Sequence, residues 1–189
     1  MYEVELKLRA DHETVRAALD DAGASPDHRV RQVDTYYDAP HREFAETDEA
    51  LRLRRETQEP VEESDRHPTT TTELTYKGPL VEAESKTREE HETTVADGDD
   101  AAAILAGLGF DPAAVVEKDR TFFDLGGYTV SLDRVDGLGE FVEIEGEAEQ
   151  SEDVAEVRDE AISVLRRLGL DPGDQIRTSY LGLLLDNTA

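Results

Sequence analysis

The feature that most constrains this chain is a repeated alternation of charged and apolar residues with a period of two. In residues 2–9, charged Glu3, Glu5 and Lys7 alternate with apolar side chains. Because successive side chains of a β-strand point to opposite faces, this segment predicts a strand with one charged and one apolar face. Such alternation, or an apolar run bounded by turn residues, predicts eight strands, at residues 2–9, 30–37, 50–56, 73–77, 86–95, 115–124, 128–134 and 139–147.

Helical spacing of apolar residues separates some of these strands and follows the last one. It predicts helices at residues 11–22, 99–108 and 151–168 and a short helix at 175–185. Residues 57–72 carry almost no apolar side chains, which predicts an exposed loop and a candidate for disorder. Strands joined mainly as hairpins and meanders indicate the α+β class, in a single domain over residues 1–189.

The acidic composition of the chain excludes several classes of partner. The chain has 46 Asp and Glu against 20 Lys and Arg, a net charge of −26, and no cysteine. This charge repels nucleic acid and anionic membranes. It suits concentrated salt, which screens self-repulsion, so we interpret it as a halophilic, archaeal adaptation, with an acidic protein from an ordinary organism as the alternative. No apolar run approaches the ~18 residues of a membrane span and no secretory signal is present, so we predict a cytoplasmic protein.

The charged strand faces do not fit an exterior adapted to salt. Three of the four lysines, Lys7, Lys77 and Lys118, lie in predicted strands, where Arg and Glu share their parity. For any single strand, a solvated outer face explains the pattern. For all strands together, the retained cations favour an eight-stranded antiparallel β-barrel with the charged faces inside and helices packed outside on the apolar faces.

A lumen with both signs of charge suits a polyphosphate together with a divalent cation. Arg and Lys bind phosphate oxygens. Carboxylates bind Mg²⁺ or Mn²⁺, which prefers oxygen ligands and shares them with phosphate. Without these ligands the same side chains would pair with one another, and this alternative stays open for some of them. The chain has no G-x-x-x-x-G-K motif, so nucleotide chemistry would have to use side-chain cations.

The sequence also resembles a known family in several ordered motifs. Residues 3–7 match an ExExK signature, and further segments agree at 34–38 (DTYYD), 51–54 (LRLR), 74–79 (LTYKGP), 85–90 (SKTREE) and 138–145 (LGEFVEIE). On these motifs the chain resembles the CYTH superfamily, the triphosphate tunnel metalloenzymes. Two of the segments, 74–79 and 85–90, are most similar to its class IV adenylate cyclase branch. The resemblance implies a tunnel of eight antiparallel strands, a triphosphate substrate and Mg²⁺ or Mn²⁺.

The resemblance also implies roles for individual side chains. The implied metal ligands are Glu3, Glu5, Glu143 and Glu145. The implied triphosphate-binding residues are Lys7, Arg52, Arg54, Lys77, Arg88, Lys118, Arg120 and, from the last helix, Arg177. Lys7, Arg120 and Asp133 are the catalytic candidates, with Asp133 expected near the metal.

Three functions are compatible with these residues. The first is a class IV-type adenylate cyclase, which converts ATP to cyclic AMP and pyrophosphate. The second is hydrolysis of inorganic or thiamine triphosphate, and the third is binding of polyphosphate without catalysis. The acidic pairs count against the third, because a pure anion binder gains nothing from them. We expect a monomer or a homodimer, in which leucines 181 and 183–185 form a dimer contact or, as we favour, pack on the barrel.

Overall fold

The computed structural model describes residues 2–58, 68–80 and 87–188, in which eight strands close into a barrel. The strands are β1 Tyr2–Arg9, β2 Pro26–Asp38, β3 Ala50–Gln58, β4 Thr69–Leu80, β5 Arg88–Val95, β6 Asp111–Leu125, β7 Tyr128–Val135 and β8 Gly139–Ala148. Their order around the barrel is β1-β5-β4-β3-β2-β6-β7-β8, and all neighbours are antiparallel. The predicted fold class and strand number are confirmed.

The helices lie outside the barrel wall or across one of its ends. They are α1 His12–Asp21, α2 Phe44–Thr47, α3 Gly98–Gly107, α4 Val154–Arg167 and α5 Tyr180–Thr188. Asp11 begins α1, because its carboxylate accepts a hydrogen bond from the Thr14 amide at 2.9 Å and so satisfies a free helix donor. Among the described helices, none combines the length and the apolar composition needed to cross a membrane.

The main hydrophobic core lies between the outer surface of the barrel and two helices. Leu6 of β1 and Ile144 of β8 pack in one cluster with Leu19 of α1 and with Ala161 and Leu165 of α4, all fully buried. Burial of a Leu or Ile side chain contributes about 1.5–3 kcal/mol, so this outer core provides much of the stability. The apolar faces of these strands therefore point outward and pack against the helices, and the opposite faces line the lumen.

The C-terminal segment packs against the barrel and lines part of its lumen. Tyr180 is buried there, with its ring 5.0 Å from that of Phe141, in a cluster that includes Val116 and Val135. The neighbouring leucines 181, 183 and 184 are partly buried on this cluster, while Leu185 is exposed. Most of the leucine group thus packs on the barrel, as the sequence favours.

Some boundaries differ from the predicted ones for identifiable physical reasons. The last helix begins at Tyr180 instead of residue 175, because the Ile176 amide donates to the Lys7 carbonyl at 2.7 Å and keeps this stretch extended. The Ser179 hydroxyl then accepts from the Gly182 amide at 3.0 Å and caps the helix. The strand predicted from residue 86 begins at Arg88, and residue 86 lies outside the described residues.

The prediction of an exposed loop over residues 57–72 is wrong at both ends of this range, where the residues belong to strands. Thr57 belongs to β3 and pairs with Thr70 of β4, with their hydroxyl oxygens 2.9 Å apart. The β-branched threonines favour the extended backbone and pair well across strands, even where they are exposed. The prediction for residues 59–67 lies outside the described residues.

Candidate active site

The charged strand faces enclose a cavity of about 1270 Å³ inside the barrel. Its lining includes all the predicted site residues except Asp133: Glu3, Glu5, Lys7, Arg52, Arg54, Lys77, Arg88, Lys118, Arg120, Glu143, Glu145 and Arg177. Most of them are buried, whereas Arg177 is exposed. The acidic and basic residues that alternate with apolar residues along the strands thus lie around one lumen.

The register between neighbouring strands sets these residues side by side on the inner face of the barrel. In the β1–β8 pair, Glu5 lies opposite Glu145 and Lys7 lies opposite Glu143. Residues directly opposite in an antiparallel pair share a face, so both pairs point into the lumen.

Three carboxylates form a compact acidic cluster in the lumen. Oxygens of Glu5, Glu143 and Glu145 all lie within 4.8 Å of one another. Burial, together with the negative charges of Glu3 and Glu143, raises the pKa of Glu145 to about 8, although Arg120 opposes this shift. A cluster of oxygen donors that resists full ionisation fits a divalent cation such as Mg²⁺ or Mn²⁺. These three side chains are the ones that would hold it.

Glu3, the fourth predicted metal ligand, belongs to a different charge group. Its carboxylate is 2.5 Å from the Lys77 ammonium, which is also 2.8 Å from Glu90. Burial disfavours the charged form of Glu3, but the charge and hydrogen bond of Lys77, together with a hydrogen bond to Glu90, outweigh it and lower the pKa of Glu3 to about 2. Burial and the neighbouring Glu3 raise the pKa of Glu90 to about 7. Lys77 is therefore shared between two carboxylates.

Two arginines in the lumen are held rigidly by carboxylates on neighbouring strands. Arg54 makes two hydrogen bonds of 2.7 Å to Asp34. Arg120 makes hydrogen bonds of 2.6 and 2.5 Å to Asp133. Paired contacts of this kind fix the plane of a guanidinium. Asp34 belongs to the motif at residues 34–38, but the sequence did not indicate a role for it. Its role as the partner of Arg54 is seen only in the strand register, which sets the two residues opposite each other.

Asp133 serves as an anchor in this arrangement and does not join the acidic cluster. It is fully buried, does not line the cavity, and accepts hydrogen bonds from Arg120 and, at 3.0 Å, from the Tyr180 hydroxyl. Arg120 in turn contacts Glu143 and, at 3.2 Å, Glu145. Arg120 therefore lies between Asp133 and the acidic cluster, and Asp133 is not among the three carboxylates that would hold a metal.

Arg88 is also occupied within the protein. It donates to the backbone carbonyl of Asp48 and, at 2.6 Å, to the Asp48 carboxylate. Asp48 follows α2 with a φ of 55°, in the left-handed region that side chains other than glycine rarely adopt. A bound triphosphate would have to compete with Asp48 for Arg88.

Three lumen cations, in contrast, have only long contacts. The nearest carboxylate to the Arg52 guanidinium is Asp34 at 3.6 Å, and the buried Arg52 Nε has no partner among the described residues. Lys7 is 3.3 Å from Glu5, and Lys118 is 3.8 Å from Asp34. These loosely held cations (Arg52, Lys7 and Lys118) are the groups best placed to accept an added anion.

Tyr180 contributes to the lumen from the last helix, and the strand pattern gave no sign of it. Its ring centre is 4.5 Å from the Lys7 ammonium and 5.2 Å from that of Lys118. A π-face at these distances attracts cations. Tyr180 therefore supports both lysines while its hydroxyl is bonded to Asp133.

We predict that anion binding in the lumen weakens as the pH rises through about 8. Burial, with Arg120 and Arg54 nearby, lowers the pKa of Lys118 to about 8. A bound anion favours the ammonium form and raises this pKa, so binding above pH 8 takes up a proton. Calorimetry of tripolyphosphate without metal, at pH 8 in buffers of different ionisation enthalpy, measures this uptake. Lys118→Gln should reduce it, and equal uptake in both proteins would contradict the assignment.

A closed antiparallel barrel of eight strands, with an acidic cluster and buried cations in its lumen, defines this chain as a tunnel-type barrel protein. The chain belongs to the CYTH family, since the CYTH domain model matches residues 1–180. It is 33% identical over 184 residues to a Methanocaldococcus jannaschii protein provisionally named an adenylate cyclase, covering 97% of this chain and 98% of that one. It is 25% identical over 183 residues to the adenylate cyclase CyaB of Aeromonas hydrophila, covering 95% and 86%.

Solved structures agree with this assignment. The PH1819 protein of Pyrococcus horikoshii OT3 is 35% identical and superposes with a TM-score of 0.87, over 98% of this chain and 99% of that one. HpAC1 of Hippeastrum, described as having a dominant triphosphatase activity, shares the fold at 16% identity with a TM-score of 0.62, over 98% and 95%.

Proposed function

We propose that this protein binds ATP in the barrel lumen with Mg²⁺ or Mn²⁺ and converts it to cyclic AMP and pyrophosphate. The observation that carries this proposal is the meeting of loosely held cations and a three-carboxylate cluster in one lumen. The names of the Methanocaldococcus and Aeromonas relatives support the cyclase reaction.

The loosely held cations supply the affinity for the triphosphate. Among the described residues, the Arg52 Nε has no hydrogen-bond partner, and Lys7 and Lys118 have no contact shorter than 3.3 Å with a carboxylate. Each of these cations gains a charge-assisted hydrogen bond when a phosphate oxygen binds to it. The triphosphate would therefore lie along these three residues.

In the reaction, the 3′-oxygen of the ribose forms a bond to the α-phosphorus, and the bond from that phosphorus to the bridging oxygen of the β-phosphate breaks. The hydroxyl loses its proton to solvent, and the electron pair of the broken bond stays on the pyrophosphate. Lys7 and Arg120 would stabilise the charge that develops there, and Asp133 holds Arg120 in the orientation this requires. A divalent ion held by Glu5, Glu143 and Glu145 would neutralise phosphate charge and lower the pKa of the hydroxyl.

Hydrolysis of a triphosphate is the second candidate. In that reaction water attacks a phosphorus atom in place of the ribose hydroxyl, and the same cations stabilise the leaving group. The Hippeastrum protein with this fold is described as a triphosphatase, which favours keeping hydrolysis as the alternative. Binding without catalysis is less favoured, because the acidic cluster adds repulsion that a pure anion binder would avoid.

A product assay decides among these functions. The protein is incubated with ATP, tripolyphosphate or thiamine triphosphate in molar KCl with Mg²⁺ or Mn²⁺, and products are separated by chromatography. We expect cyclic AMP and pyrophosphate from ATP, and chelation of the metal should abolish both. Orthophosphate from tripolyphosphate without any cyclic AMP would reject the cyclase and favour hydrolysis, and binding without any product would reject both.

A further inference from the structure

A second cavity, of about 230 Å³, lies on the outer wall of the barrel beneath α1. Its lining includes several cationic or hydrogen-bonding side chains: His12, Arg16, Arg29, Thr121 and Arg134. We infer that this outer cavity is a binding site for a small free oxyanion of the phosphate class, separate from the lumen.

The barrel register explains why these side chains meet outside the wall. Arg29 of β2 lies directly opposite Thr121 of β6, so the two share a face, and Arg134 lies on the same outer face of β7. Arg16 of α1 reaches down to this face, and its Nη2 donates to the Thr121 hydroxyl at 3.4 Å. The adjacent Arg120 lines both this cavity and the lumen, so the two cavities lie on either side of β6.

The positive charge of this cavity is only partly neutralised. Within the described part of the chain, neither Arg16 nor Arg29 forms an ion pair. Arg134 is 2.8 Å from Glu140, and the lining residue Asp119 is engaged by Arg31 at 3.1 Å. Two unpaired arginines side by side stand out in a chain with a net charge of −26.

The neighbouring arginines also affect one another. Burial, together with the charges of Arg29 and Arg134, lowers the pKa of Arg16, although Glu140 and Asp20 act in the opposite direction. A bound anion would remove this repulsion. The structure thus supplies both the donors and an energetic reason for anion binding.

The chemistry and size of the cavity define the ligand. Guanidinium groups bind phosphate oxygens in pairs, and the half-buried Arg16 with the buried Thr121 provides a fixed wall for such contacts. At roughly 30 Å³ per water, the cavity has the volume of about eight waters, enough for one or two phosphate groups. Phosphates of nucleic acids or membranes are disfavoured, because the overall charge of the protein repels these polyanionic surfaces. Orthophosphate and pyrophosphate are the ligands to test.

The test follows the Arg16 side chain by ¹H–¹⁵N NMR while orthophosphate or pyrophosphate is added at constant ionic strength, balanced with KCl. We expect a saturable shift of the Arg16 Nε–H resonance. Arg29→Ala should weaken binding about tenfold through loss of a charge-assisted contact. Arg29 is exposed, so this variant should keep its fold, which the rest of the spectrum verifies.

Two controls separate the outer cavity from the lumen and from general charge effects. Arg52→Ala alters the lumen and should leave the Arg16 titration unchanged. Arg166→Ala removes one exposed positive charge from α4 and should also leave it unchanged. The inference is overturned if the Arg16 shift does not saturate, if KCl alone reproduces it, or if Arg52→Ala abolishes it.

Discussion

Arg52→Ala is expected to weaken binding of tripolyphosphate and of ATP by roughly 10- to 150-fold, equivalent to about 1.5–3 kcal/mol for hydrogen bonds to a charged group. Arg52 is buried in the lumen, and within the part of the chain that the structure describes its Nε has no partner and its nearest carboxylate is 3.6 Å away. Its charge is therefore more available to a ligand than that of a paired arginine. Isothermal calorimetry at fixed KCl concentration gives the dissociation constants.

Arg55→Ala is the matched control for this variant. Arg55 lies on the same strand but on the opposite, outer face, where it is exposed and pairs with Asp99. Its removal changes the net charge equally and should leave the dissociation constant unchanged. Equal affinities of wild type and Arg52→Ala would show that the triphosphate does not contact Arg52.

Arg54→Ala should behave differently from Arg52→Ala, although the two residues share a face of β3. Arg54 makes two short hydrogen bonds to Asp34, which is almost fully buried. Removal of Arg54 takes away both hydrogen bonds to Asp34. Asp34 then keeps only the longer contacts with Arg52 and Lys118, so the cost approaches that of a broken buried pair, about 3–5 kcal/mol. A loss of binding in Arg54→Ala would therefore arise partly from unfolding of the protein. In Arg52→Ala, the change in affinity measures the contact with the ligand more directly.

Glu143→Gln is expected to lower metal-dependent turnover by about a hundredfold or more, since it removes one charge from the proposed ligand set. The glutamine amide keeps the shape of the glutamate side chain. In the wild type, a carboxylate oxygen of Glu143 lies within 4.8 Å of an oxygen of each of the other two acids in the cluster. Metal-free binding of tripolyphosphate should remain or tighten, because one source of repulsion is lost. Turnover measured against Mg²⁺ and Mn²⁺ concentration, together with calorimetry, separates the two effects.

Glu117→Gln provides the control for Glu143→Gln. Glu117 is an acid on the outer face of the barrel, paired with Arg31 at 2.7 Å, and should not affect the dependence on metal. Wild-type turnover and metal dependence in Glu143→Gln would remove this residue from the metal site. A parallel loss of metal-free binding would instead indicate that the substitution disturbs Arg120, which contacts Glu143.

Much of the fold and of the lumen lining could be predicted because both depend on local periodicity. The two-residue alternation in β1 sets Glu3, Glu5 and Lys7 on one face regardless of what surrounds the strand. The retention of cations in an acidic chain then indicates that this face is inside. The strand ends at Thr57 and Thr70 could not be predicted in this way, because exposed polar residues carry no alternation and pair through contacts with the neighbouring strand.

The roles of individual lumen residues depended on contacts between distant parts of the chain. Arg52 and Arg54 are equivalent by parity, yet only Arg54 has the paired contact with Asp34. Tyr180 comes from a helix after the last strand, and Glu3 pairs with Lys77 rather than with the acidic cluster. Such partners are set by the stagger between strands and by the path of the C-terminal segment.

The sequence alone determined the strand periodicity, the excess of acids, and which side chains share a face. These properties are local or additive, since they follow from positions two residues apart and from counts. Only the tertiary structure decided which carboxylate holds which arginine, which three acids converge, and that Arg16 and Arg29 meet outside the wall. Barrel closure and inter-strand register create those contacts, and they arise from the packing of the whole chain.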